Sequence, residues 1–111
     1  MGASDIYTST RAVDMSTAFN QLVKSAEYES GHDPYNGTIS TCDGFRDMSK
    51  WFNELLGTRR KTQKFLKECK EKFEEKAIEE CDKRECYGIE FPSKQSTKKS
   101  KLYYFVGWAA E

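Results

Sequence analysis

The chain has 111 residues, with 18 basic and 18 acidic side chains and no formal net charge. Apolar residues make up 37% and aromatics 14%, too much for a disordered chain and enough for one core in a single domain spanning 1–111. Neutral charge disfavours direct nucleic-acid binding, and the longest apolar run, 102–110, is too short to span a bilayer.

The start, MGASDIYTST, lacks a basic region followed by an apolar stretch, so no signal peptide is expected and a cytoplasmic location follows as the expectation. It matches the myristoylation pattern only loosely, because Ile6 stands where the hydroxyl belongs. Residues 6–13 are β-branched enough to predict a strand. Asp14 is placed to cap a helix whose apolar stripe is Met15, Ala18, Phe19, Leu22, Val23 and Ala26. That helix is expected to end near Ser30, with Gly31 just beyond it.

A turn follows, built on Asp33-Pro34 and Asn36-Gly37. Residues 38–42 then predict a short strand. Asp43 is the expected cap of a second helix bearing Phe45, Met48, Phe52, Leu55 and Leu56, closed by Gly57. Thr58 is the expected cap of a longer helix running to about Asp82. Its stripe is Phe65, Leu66, Cys69, Phe73, Ala77, Ile78 and Cys81, and its other face is rich in Lys and Glu. A strand over 87–91, a basic loop over 92–101 and a strand over 102–109 complete the chain. The predicted fold is α+β, in the order β-α-β-α-α-β-β. Its sheet is mainly antiparallel, with the helices packed on one face.

Cys42, Cys69, Cys81 and Cys86 are expected to be reduced, buried thiols. Cys81-x4-Cys86 has loose zinc spacing, which Cys42 or His32 would complete, but no second cysteine pair accompanies it. No metal and no cofactor are expected.

Chemistry-bearing residues concentrate in GHDPYNGTIS, 31–40. His32 is the only histidine, but it stands among turn residues without a recognisable nucleophile motif, so an enzyme is not expected. The same turn suits binding. Tyr28 and Tyr35 offer rings for stacking, and His32, Asn36 and Thr38 offer hydrogen bonds. A nucleotide is one candidate ligand, although Gly31 and Gly37 do not form a phosphate-binding fingerprint. Lys98 and Lys99 in the basic loop, with Trp108, are the candidate second surface.

The spacing Tyr28-x-x-Gly31-His32-x-x-Tyr35-x-Gly37-Thr38-Ile39 follows a helix containing Ala18-Phe19. With the start Met1-Gly2-Ala3 and the late Phe105-x-Gly107-Trp108-Ala109, it resembles small phage- and prophage-encoded proteins. The resemblance covers about the first 40 residues and the last strand. It implies an accessory gene of a phage or mobile element, a setting in which small proteins often inhibit bacterial defence, anti-CRISPR proteins among them. The expected function is non-enzymatic binding and inhibition of a host or defence-system protein. The alternative is sequestration of a nucleotide signal by the 28–39 turn.

Overall fold

The computed structural model describes residues 3–31, 37–93, 95 and 97–110. In chain order the elements are β1 (Ala3–Ala12), α1 (Met15–Ser30), a 3-10 turn (Ile39–Thr41), β2 (Gly44–Asp47), α2 (Ser49–Leu56), α3 (Gln63–Glu80), β3 (Glu85–Phe91) and β4 (Lys101–Ala110). The four strands form one sheet in the order β1-β4-β3-β2. β4 pairs antiparallel with both β1 and β3, and β2 runs parallel to β3. The α+β class and the mainly antiparallel sheet are therefore as the sequence predicts.

The helices, however, lie on both faces of the sheet. Successive side chains of a strand point to opposite faces. On β4, Tyr103 and Phe105 join Phe19 and Met15 of the α1 layer, while Tyr104 and Val106 join Phe52, Phe73 and Ala77 of the α2–α3 layer. A central strand carrying large apolar groups on both sides leaves one side wet unless both are covered. Each layer has its own aromatic centre. Phe19, Phe45 and Phe105 meet at centroid distances of 5.1 to 5.8 Å, and Phe52 meets Phe73 edge-on at 6.2 Å.

Local signals explain most element ends. The Asp14 carboxylate accepts from the Thr17 N–H at 2.7 Å, and that bond holds its pKa below the usual value. Gly31 ends α1 at φ 81°, its N–H donating to the Glu27 carbonyl at 2.7 Å.

Three boundaries differ from the sequence reading. Residues 39–41 form a 3-10 turn rather than a strand, because the Thr38 hydroxyl accepts from the Ser40 N–H at 3.3 Å and draws the backbone into a local loop. The strand is displaced to Gly44–Asp47, so Asp47 rather than Asp43 precedes α2 and accepts from the Ser49 N–H at 2.9 Å. Thr62 rather than Thr58 caps α3, accepting from the Phe65 N–H at 3.2 Å. Between them Arg59, Arg60 and Lys61 are all exposed, so no apolar side chain draws that stretch into the helix stripe. Among the described residues, no helix is long and apolar enough to cross a membrane.

Candidate functional site

A groove of about 270 Å³ runs between the C-terminal half of α1 and β1. Leu22, Ser25, Ala26 and Glu29 reach it from one face of α1, at i, i+3, i+4 and i+7. Ile6 and Thr8 reach it from alternate positions of β1, and Thr38 and Ile39 close one end. Ile6 and Ile39 are buried and, with Leu22 and Ala26, make the floor apolar.

The closing segment is pinned to the sheet through a buried hydroxyl. Thr41 Oγ1 donates to the Thr38 carbonyl at 2.8 Å and accepts from the Ala110 N–H at 2.9 Å. Gly37, at φ 74°, donates its N–H to the Ala110 carbonyl at 2.7 Å. Gly37 and the 3-10 turn are thus attached to the end of the central strand.

Two other grooves lie elsewhere. One of about 440 Å³ between α2 and α3 carries Glu54, Glu68, Arg59 and Lys72. One of about 370 Å³ beside β2 carries Asp43, Glu85, Arg46 and Arg84. Both mix the two signs of charge along their walls. The α1–β1 groove has acidic residues and no basic side chain among its described lining residues.

Of the expected site residues that are described, Thr38 lines this groove and Tyr28 does not. Tyr28, in the last turn of α1, is 94% exposed. Thr38 lines the groove, and its hydroxyl also shares a 2.8 Å hydrogen bond with Ser40. His32, Tyr35 and Asn36 lie outside the described residues.

The expected second surface is not assembled. Lys98 and Lys99 are exposed before the start of β4, whereas Trp108 lies near its far end. Trp108 is half-buried against the α2–α3 layer, its indole N–H donating to the Ile78 carbonyl at 2.9 Å. A partly buried indole needs an acceptor, and the carbonyl-rich end of α3 supplies one.

The four cysteines are free, buried thiols. Cys42, Cys81 and Cys86 converge where the turn after α3 meets β2 and β4. Cys42 and Cys86 share a hydrogen bond that, with burial, raises the Cys86 pKa, and burial pushes Cys81 up to about 12. Their thiols also approach backbone carbonyls, Cys42 that of Trp108 at 3.8 Å and Cys86 that of Gly44 at 3.5 Å. Cys81 and Cys86, held protonated, are packing groups rather than nucleophiles. No group of three His, Cys, Asp or Glu side chains among the described residues is arranged to hold a metal.

Sequence reasoning missed Thr41, Leu22, Ser25 and Glu29 as parts of the site. The hydroxyl pattern Thr38-x-Ser40-Thr41 was the available signal for the pin, since closely spaced hydroxyls favour local backbone hydrogen bonds over a strand. No family model, no curated protein and no solved structure matches the chain.

Proposed function

We propose that this chain is a small non-enzymatic protein of a phage or mobile element that docks on a host or bacterial-defence protein and blocks it stoichiometrically, in the manner of anti-CRISPR inhibitors. The observation that carries the binding role is Tyr28, 94% exposed in the last turn of α1, the helix whose other face walls the open groove with an apolar floor. Large aromatics of this kind are frequent anchors of protein interfaces, and an exposed one contributes little to its own fold. The genetic setting rests on the resemblance of the 28–39 motif.

Nucleotide sequestration has less support at this groove. Its 270 Å³ falls below the roughly 300–1,000 Å³ typical of drug-sized ligand sites, and Glu29 at its edge repels phosphate.

The test is titration of the purified chain into CRISPR effector complexes while target-DNA cleavage is followed. Inhibition should level off near one equivalent, and Tyr28→Ala should weaken it at least tenfold without changing the melting temperature. Inactivation by a small fraction of an equivalent would point to turnover instead. A nucleotide that raises the melting temperature would favour the sequestration reading.

A further inference from the structure

β1 is an edge strand ten residues long, and its sequence ASDIYTSTRA contains neither proline nor lysine, two common means of protecting such an edge. The opposite edge, β2, is only four residues long. Tyr7 is 50% exposed and Val13, just past the strand, 49%. Tyr7 occupies an odd-numbered position, on the face of β1 that also carries Asp5, Ser9 and Arg11. The Asp5 carboxylate is close enough to the Tyr7 hydroxyl to help raise its pKa, after burial. The Arg11 guanidinium is anchored at the other end by a 2.9 Å hydrogen bond to Ser93 Oγ.

We infer that β1 pairs with β1 of a second copy of this chain, antiparallel, about a two-fold axis through Thr8, joining two four-stranded sheets into one. Charge selects this register. With Thr8 opposite Thr8, each Asp5 lies directly across from an Arg11 on the same face, and residues 4–12 of each copy are paired. Centring the axis on Asp5 or on Arg11 instead would set like charges against each other. In the Thr8 register Tyr7 is diagonal to both Tyr7 and Arg11 of the second copy, so the exposed ring gains a ring and a cation as neighbours. A two-fold interface needs such a self-complementary strand, and the order acid, aromatic, base along one face provides it.

The experiment combines sedimentation equilibrium of the full chain with site-directed crosslinking. Residues directly opposite in an antiparallel pair have Cα atoms about 4.5–5.5 Å apart, within disulfide reach, whereas copies of Thr10 would be separated by several residues. Thr8→Cys should therefore give a disulfide-linked dimer with oxidised glutathione, each new bond taking two electrons and two protons from the thiol pair. Thr10→Cys should not. Asp5→Arg should raise the dimer dissociation constant at least tenfold, and adding Arg11→Asp should restore it. Circular dichroism separates loss of pairing from loss of fold, and the crosslink result stands alone if Arg11→Asp unfolds the chain. A wild-type chain that stays monomeric to about 1 mM, or equal crosslinking at residues 8 and 10, would overturn the inference. So would an edge that accepts an unrelated extended peptide but no second copy.

Discussion

Trp108 donates its indole N–H to the carbonyl of Ile78 at 2.9 Å, across a sequence separation of 30 residues. Ile78 lies in the last turn of α3, where carbonyls lack partners within the helix. The side chain that looked available for a partner is therefore used to tie the central strand to the longest helix. Trp108→Phe keeps an aromatic ring but removes the donor. It should cost about 1–3 kcal/mol, read as a lower urea midpoint, while leaving binding through Tyr28 intact.

Thr41 offers a second test of the same principle, at the groove. Its hydroxyl serves the Ala110 N–H and the Thr38 carbonyl together and is 4% exposed. Thr41→Val preserves shape but takes the hydroxyl acceptor from the Ala110 N–H and leaves the Thr38 carbonyl with the Thr41 N–H alone, an expected loss of about 1–3 kcal/mol. Amide exchange at Ala110 should accelerate in the same variant, and Thr41→Ser should recover most of the loss. Equal stability of the valine and serine variants would remove the hydroxyl from this role.

Gly107 faces Cys86 across the β3–β4 ladder. A Cβ there would lie 2.2 Å from the Glu85 carbonyl oxygen and 2.5 Å from the Cys86 Cα, both backbone atoms. Gly107→Ala should therefore destabilise the chain by about 3 kcal/mol or prevent folding, at or beyond the upper end of overpacking penalties. Gly44→Ala meets nothing within 4 Å and should leave the melting temperature nearly unchanged. Circular dichroism melts of the two variants give the comparison.

Cys81, with its pKa pushed up to about 12, and Cys86, also raised, should resist alkylation in the folded protein. At pH 8 a thiol with a pKa of about 12 has roughly a thousandth of the thiolate of one at the ordinary value of 9.0. Iodoacetamide labelling followed by mass spectrometry should leave both unmodified in buffer and modify both in guanidinium. Fast labelling of either in the native state would contradict their placement.

Stability should also fall at high pH. Burial is the chief cause of the raised pKa values of Tyr87, Tyr103 and Tyr104, and hydrogen bonds to Glu80 and Glu74 further raise Tyr87 and Tyr104 respectively. A group whose folded pKa is raised retains its proton after the unfolded chain has lost it. Its contribution is complete below the unfolded value and disappears as pH rises through the folded one. With ordinary values of 9.0 for thiols and 10.0 for phenols, the urea midpoint should hold to about pH 8 and decline above about pH 9. Tyrosine absorbance near 295 nm should rise together with unfolding. In acid the sign reverses: Asp14 and Glu80 have lowered pKa values, so their contribution is present above the ordinary carboxylate range and is lost below it.

The order of helices and strands, the Asp14 and Gly31 ends of α1 and the Gly57 end of α2 could all be read from the chain, because caps and 3.6-residue periodicity depend on neighbours in sequence. The strand displaced from 38–42 to Gly44–Asp47 could not, since a single hydroxyl-to-backbone bond was enough to outweigh its weak β propensity. The two-sided placement of the helices was foreshadowed by large groups on both faces of β4, but it depended on which helix packs against which face. The candidate groove was still less legible. Thr38 comes from the stretch the sequence marked, but the floor and walls come from Ile6, Leu22 and Ala26, ordinary members of local apolar patterns. The packing of α1 back onto β1, and the attachment of the 37–41 segment to the end of β4, bring them together. Local hydrogen bonding and periodicity determined the elements, and long-range burial decided which of their side chains share a surface.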